Sequence, residues 1–192
     1  MPRIRVFIAL ELSSSVLGKA TEMIRVLRGS GAEVNWVNPR QLHLTLKFLG
    51  DVPETETPEI CNVVAQAAQA IEPFEISFRG LGAFPSLAKP RTLWLGLAEG
   101  QEALAELNTA IETALYQELG YPLERQRFTP HLTLGRVRPS LAEAEESLRS
   151  LIESHAQYDA DLTVVEEAVV FASYPRAGGF EYNALGRAPL AE

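Results

Sequence analysis

The sequence predicts an α+β or mixed-sheet protein built from two similar halves, with helices covering one face of each sheet. Three observations predict this fold. The tetrad HLTL occurs at 43–46 and again at 131–134, an offset of 131 − 43 = 88 residues. The same offset aligns strand-like and helix-like segments of the two halves without a gap. Hydrophobic residues make up 46% of the 192 residues and charged residues 22%, which is typical of a globular chain with a core.

Each half shows the order strand, helix, strand, helix, strand. The first half has these segments at 5–10, 13–27, the first HLTL, 54–71 and 74–82, and the second at 93–98, 101–115, the second HLTL, 142–156 and 162–170. Apolar residues spaced three or four apart indicate the helices, with serines at 13–15 available as N-caps and Gly120 and Pro122 as a stop.

The segment 86–90 is expected to link the halves, and 178–186 to form a turn and one more strand. We therefore expect a single bilobal domain over residues 1–192. Its repeat lobes would span 1–88 and 89–176, and a C-terminal strand would lie in 178–192.

Net charge and apolar patterning exclude several classes of protein. A net charge of −8 disfavours sequence-independent wrapping of nucleic acid, which needs many Lys and Arg contacts to phosphate. Basic residues do flank the tetrads (Arg40 and Lys47 the first; Arg125, Arg127, Arg136 and Arg138 the second), and the simplest interpretation of any one is a solvated strand end. The longest apolar stretches are too short to span a bilayer, and no signal peptide is recognisable. With the single Cys61, these features predict a cytoplasmic protein.

In a strand, alternate side chains point to opposite faces. His43 and Thr45 would therefore share the open face, as would His131 and Thr133. The residues expected to pack beneath the helices are Leu42, Leu44, Leu46 and Phe48 in the first strand, and Leu132 and Leu134 in the second. If the halves are related by a pseudo-twofold axis, two imidazoles and two hydroxyls converge on one point.

This arrangement suits a phosphodiester. Histidine titrates near neutral pH, so one copy can accept a proton from attacking water while the other protonates the leaving oxygen. A structural role is the usual explanation of a lone histidine on a strand, but the tetrads use two of only three histidines. His155, near a helix end, is expected to be a surface or capping residue. No metal is expected, because HExxH and CxxC are absent, and Cys61 lacks an activating setting.

The segments HLTLKFLG and FTPHLTLGR, in a chain of this length, resemble the 2H phosphoesterase superfamily. The likeness is greatest to its RNA 2′,3′-cyclic phosphodiesterases, also called 2′-5′ RNA ligases. The resemblance implies an α+β fold of two pseudo-symmetric lobes, each an antiparallel-rich sheet with outer helices, with the active site in the central cleft. It also implies opening of a 2′,3′-cyclic phosphate at the end of a short or tRNA-like RNA to leave a 2′-phosphate. Some members also run a reverse ligation, and no cofactor is implied.

The resemblance also implies residue roles. His43 would be the proton donor, His131 the proton acceptor, and Thr45 and Thr133 would hold the phosphate. Arg136 would be a further phosphate contact, although strict alternation places it opposite His131 and requires a bend or a strand end after Gly135. We expect a monomer, since both halves of the site lie on one chain. Two alternatives stay open: a non-catalytic module that binds RNA ends, and a 2H enzyme for a small cyclic nucleotide.

Overall fold

The computed structural model describes residues 2–139, 141–177 and 179–191; Met1, Ser140, Gly178 and Glu192 lie outside the described residues. The elements are β1 (Arg3–Leu10), α1 (Ser14–Arg28), β2 (Val34–Trp36), β3 (Leu44–Pro53), α2 (Thr57–Ala68), β4 (Phe74–Ser86), β5 (Lys89–Glu99), α3 (Gln101–Leu119), β6 (His131–Val137), α4 (Ala142–Ser154), β7 (Asp159–Val165), β8 (Glu167–Arg176) and β9 (Gly179–Pro189). The predicted element order is confirmed in both halves, with two differences. Strand β2 is absent from the prediction, and the segment 162–170 is divided between β7 and β8.

The strands form two antiparallel sheets. One sheet has the order β3-β1-β8-β9 and the other the order β2-β6-β5-β4-β7. Without β2, both sheets follow one plan. The strand that begins at or just after the tetrad histidine (β3 or β6) lies beside the first strand of the same half (β1 or β5). Two further strands follow, β8 and β9 in one sheet and β4 and β7 in the other. The α+β class and the pseudo-symmetry of the sheets are as predicted.

The sheets do not follow the repeat boundary at residues 88 and 89, because each sheet combines strands from both halves of the chain. Strand β4 pairs with β5 across a two-residue turn at Leu87 and Ala88, with Ser86 opposite Lys89. Because hairpin strands pair with each other, β4 joins the sheet of the second half. Strand β8 makes the reciprocal exchange and pairs with β1.

Helices cover the outer faces of the sheets. Helix α1 packs against β7 and helix α4 against β4. Helix α2 packs against β8 and β9 and contacts α3. The predicted serine cap of α1 is confirmed, because the Ser13 hydroxyl accepts the Val16 N–H at 3.2 Å. Helix α3 ends, as predicted, at Gly120, which has φ 71°. The apolar faces of the helices close the core and leave the opposite sheet faces to the cleft.

Candidate active site

Each tetrad presents its two polar side chains to the cleft and its leucines to the core. His43, Thr45, His131 and Thr133 are partly exposed. The buried residues are Leu42, Leu44, Leu46, Leu132 and Leu134. The alternation predicted for the tetrads therefore holds in both strands.

Both strands contain a β-bulge at the last leucine of the tetrad. In β3, Lys47 pairs with Ile8 and Thr45 with Ala9, so Leu46 has no partner in β1. In β6, Gly135 pairs with Leu93 and Thr133 with Trp94, so Leu134 has no partner in β5. A bulge inserts one residue and reverses the alternation beyond it.

The bulges turn Phe48 and Arg136 toward the cleft. These residues are equivalent under the 88-residue offset, since 48 + 88 = 136. The prediction that Phe48 packs with the leucines is wrong: its exposed fraction is 60%, and Lys47 is buried in its place at 3%. The bend that Arg136 needs is supplied by the bulge at Leu134.

Donors from outside the pairing strand satisfy both bulge carbonyls. The side-chain amide of Asn108, on α3, donates to the Leu46 carbonyl at 2.8 Å. The backbone N–H of Val37, just after β2, donates to the Leu134 carbonyl at 2.9 Å. Since an unpaired buried carbonyl is costly, these two donors stabilise the bulged conformation.

Lys47 is not the solvated strand end that the sequence suggested. Its Nζ donates to Glu112 Oε1 at 2.6 Å and to the Pro122 carbonyl at 3.0 Å. Glu112 lies one turn after Asn108 on α3, so the same helix face holds the bulge and the buried ammonium.

The two catalytic candidates have the same tautomer. Nδ1 of His43 lies 2.7 Å from the Gln41 carbonyl, and Nδ1 of His131 lies 2.8 Å from the Thr129 carbonyl. A carbonyl only accepts, so Nδ1 carries the proton in both rings and Nε2 is left as the acceptor of the neutral form. The Gln41 side chain also donates to the Phe180 carbonyl, which ties the first histidine to β9.

Aromatic side chains surround the two imidazoles unequally. The ring of His43 lies 4.9 Å from that of Phe7 and 5.5 Å from that of Tyr182, and His131 lies 5.0 Å from Phe84. Burial lowers the pKa of His43 below its ordinary 6.5, and the hydrogen bond to Gln41 opposes this shift. The neutral form of His43 is therefore favoured in the free protein.

A cavity of about 280 Å³ lies where β3 approaches β6. Four predicted site residues meet there: His43, Thr45, Thr133 and Arg136. His131 is not among its lining residues; it begins β6 on the same strand face as Thr133, beside Phe84. Burial raises the pKa of Tyr182, against the charge of Arg136, so this hydroxyl stays a proton donor.

Sequence reasoning missed several residues of the cavity. They are Arg5, Phe7, Val37, Gln41, Phe48, Ser173, Phe180 and Tyr182. Most come from β1, β8 and β9, and only the folded sheet brings these strands together with β3. The one available signal was the strand predicted in the tail, which contains Phe180 and Tyr182.

The remaining candidates lie away from this cavity. His155 caps the C-terminus of α4, as predicted, and its Nδ1 lies 2.8 Å from the Leu151 carbonyl. Cys61 is a partly buried free thiol whose pKa is raised by burial. Within the described residues, no group of three or more His, Cys, Asp or Glu side chains is placed to hold a metal ion. None of the helices described is long and apolar enough to cross a membrane.

Paired histidines and threonines on equivalent strands of two pseudo-symmetric sheets define a 2H phosphoesterase. The sequence model of the 2′-5′ RNA ligase superfamily matches residues 18–174, and the chain belongs to this superfamily. It is 38% identical over 136 residues to the RNA 2′,3′-cyclic phosphodiesterase of Methanothermobacter thermautotrophicus, covering 71% of this chain and 72% of the relative.

A second relative and a solved structure are also similar to this chain. The RNA 2′,3′-cyclic phosphodiesterase of Archaeoglobus fulgidus is 34% identical over 145 residues, covering 76% of this chain and 79% of the relative. The crystal structure of the Thermus thermophilus protein TT0787 superposes with a TM-score of 0.80 at 26% identity, covering 97% of each chain. This chain and TT0787 therefore share one fold over nearly their whole length.

Proposed function

We propose that this chain is an RNA 2′,3′-cyclic phosphodiesterase that leaves a 2′-phosphomonoester and uses His43 and His131 as its acid–base pair. The observation that carries the proposal is the matched pair of imidazoles, each with Nδ1 fixed by a carbonyl two residues earlier. The names of the relatives supply the substrate class.

The proposed reaction needs two proton transfers. Nε2 of His131 accepts a proton from water as the water oxygen attacks phosphorus. The bond from phosphorus to the ribose 3′ oxygen breaks, and His43 donates a proton to that oxygen from Nε2. Because the Nδ1–carbonyl bonds fix both rings, each Nε2 is oriented before substrate binds. Each transfer is worth roughly 10²–10⁴-fold in rate.

The cavity offers donors for the phosphoryl oxygens. The Thr45 and Thr133 hydroxyls lie on the cleft faces of their strands, and the Arg136 guanidinium forms no ion pair within the described residues. A fixed positive charge and two hydroxyls stabilise the negative charge that grows on phosphorus. We expect no requirement for a metal ion.

The donor role of His43 depends on bound substrate. Burial favours its neutral form in the free protein, which by itself suits a base better than an acid. A phosphodiester anion in the cavity favours the imidazolium form and opposes the effect of burial. We therefore expect the pKa of His43 to rise when a phosphate compound binds.

The first test is hydrolysis of an RNA with a 2′,3′-cyclic phosphate end, with and without EDTA. The expected product is the 2′-phosphate, and His43→Ala and His131→Ala should each lose at least 10²-fold in kcat. His155→Ala is the matched control, because this third histidine caps α4 and does not line the catalytic cavity. Full activity in either cleft variant, or activity abolished by EDTA, would refute the mechanism. Binding without turnover in the unmodified protein would leave only a module that binds RNA ends.

A sulfur substitution separates the two histidine roles. In a substrate with a bridging 3′ sulfur, the leaving thiolate needs little protonation. His43→Ala, which lacks the proposed acid, should recover most of its lost rate on this substrate. His131→Ala, which lacks the proposed base, should not recover it. Recovery by His131→Ala instead of His43→Ala would reverse the proposed roles.

We also propose that the protein acts as a cytoplasmic monomer, since one chain supplies both tetrads. Light scattering should give about the 21.1 kDa of a single chain. A dimer whose dissociation abolishes activity would contradict this expectation. In the joining reaction the 5′ hydroxyl of one RNA attacks the 2′,3′-cyclic phosphate of another, the bond from phosphorus to the 3′ oxygen breaks, and a 2′-5′ linkage remains. We expect this reaction only at high concentrations of both RNA ends.

A further inference from the structure

A second cavity, here called the side groove, opens from the first one. Its volume is about 810 Å³, against about 280 Å³ for the catalytic cavity. The two share four lining residues: Val37, Gln41, Phe180 and Tyr182. The side groove continues from there to the end of α1, to β2 and to the β8–β9 turn. A ligand chain that leaves the catalytic cavity on this side enters the groove directly.

The charge along this path is the reverse of the charge of the protein. The whole chain has 25 acidic and 17 basic residues, yet no acidic residue lines either cavity in the described part of the structure. Arg5 and Arg136 line the catalytic cavity, and Arg28 and Arg176 line the side groove. A local path of arginines on an acidic protein favours a ligand with more than one phosphate.

The two arginines of the groove differ in how much charge they offer. Arg28 ends α1, is exposed, and forms no ion pair among the described residues. Arg176 is paired with Glu181 at 2.7 Å, so its charge is partly neutralised. Arg28 is therefore the stronger contact for a phosphate.

Aromatic side chains lie beside these arginines. Phe180 has an exposed fraction of 47%. Trp36 packs on the bulged strand at Gly135, where a Cβ would meet Trp36 Cε3 at 3.1 Å. The missing side chain at Gly135 thus lets the indole lie against the strand, at the edge of the groove. Arginine and aromatic faces together are typical of single-stranded RNA sites, in which bases stack and the backbone is neutralised.

We propose that the side groove binds the nucleotide that adjoins the reactive terminal nucleotide. Arg28 contacts the phosphate that links these two nucleotides, and Trp36 contacts the base of the adjoining one. This inference rests on the proposed function. It makes the preferred substrate an oligonucleotide, because a cyclic mononucleotide has no adjoining nucleotide to place in the groove.

The test compares kcat/KM for 2′,3′-cyclic AMP with that for an adenosine dinucleotide and hexanucleotide bearing the same cyclic end. The unmodified protein should prefer the dinucleotide over the mononucleotide at least tenfold, with a smaller gain from two to six residues. Arg28→Gln should lower this preference roughly tenfold and flatten its dependence on salt. Trp36→Leu should lower it by a similar factor with little change in salt dependence.

Arg25→Gln is the matched control, because Arg25 is exposed in the same last turn of α1 and lines neither cavity. It should leave the preference unchanged. Equal kcat/KM for mononucleotide and dinucleotide, or a preference that survives Arg28→Gln, would overturn the side groove while leaving the proposed hydrolysis intact. No hydrolysis of any of the three substrates would instead overturn the proposed function.

Discussion

The buried ion pair between Lys47 and Glu112 gives a prediction that can be worked out from the structure. The Lys47 side chain is 2% exposed and that of Glu112 15%. Glu112→Ala removes the 2.6 Å partner of the ammonium and the acceptor of the Glu124 N–H. The Pro122 carbonyl remains at 3.0 Å, and the exposed Glu124 carboxylate is 3.8 Å away.

Breaking a buried pair by removing one partner costs about 3–5 kcal/mol, because the other charge stays buried. Because these other acceptors remain near Lys47, we expect Glu112→Ala to lower the free energy of unfolding by about 3 kcal/mol, the lower end of this range. Replacing both charges by apolar groups of similar size is often neutral, so Lys47→Met/Glu112→Leu should stay within about 1 kcal/mol of the unmodified protein.

Equilibrium urea unfolding at pH 7 measures these differences, and unchanged m-values would show that the unfolded states are comparable. Glu106→Ala is the control, since Glu106 is an exposed residue of the same helix. A cost below 1 kcal/mol for Glu112→Ala would refute the reasoning, as would a double variant less stable than the single one.

Three further predictions concern pH, the bulge and two glycines. Because the pKa of His43 is lower in the folded than in the unfolded protein, the free energy of unfolding should fall as pH drops below about 6.5. His43→Gln should reduce this fall, measured by urea unfolding between pH 7.5 and 5. Equal dependence of the unfolding free energy on pH in both proteins would contradict this. Asn108→Ala leaves the Leu46 carbonyl unpaired and should cost about 1–3 kcal/mol and lower kcat/KM, whereas unchanged stability would show that the bulge needs no such donor. Gly100→Ala should lower Tm more than Gly120→Ala. Both glycines have positive φ (83° and 71°), but only at Gly100 would a Cβ meet backbone, at 2.2 Å from the Glu75 carbonyl oxygen. Equal losses of Tm would refute this clash.

Local patterns predicted the elements and the polar faces of the tetrads. Alternation over four residues depends only on strand geometry, so His43 and Thr45 could be placed beside each other without the fold. Capping by Ser13 and termination at Gly120 are likewise local. These features required no knowledge of which strands pair.

The exchange of strands between the sheets was not predictable from the repeat. The 88-residue offset assigns β4 to the first half and β8 to the second. In the structure the β4–β5 hairpin places β4 in the sheet of β5 and β6, and β8 crosses to the sheet of β1 and β3. The repeat therefore predicts which elements are equivalent, and strand pairing decides where they lie. For the same reason Tyr182, on a late strand, reaches His43 although 139 residues separate them (182 − 43).

The bulges show why alternation failed just where the two tetrads end. Their donors are Asn108 and Val37, which lie 62 and 97 residues from the carbonyls that they satisfy (108 − 46 and 134 − 37). No pattern within the strands contains that information. One bulge turns an apolar ring toward the cleft and the other a guanidinium, at equivalent positions of otherwise matched strands. An apolar ring favours contact with a base and a guanidinium favours an anionic phosphate, so the surroundings of a nearly symmetric pair of histidines are unequal.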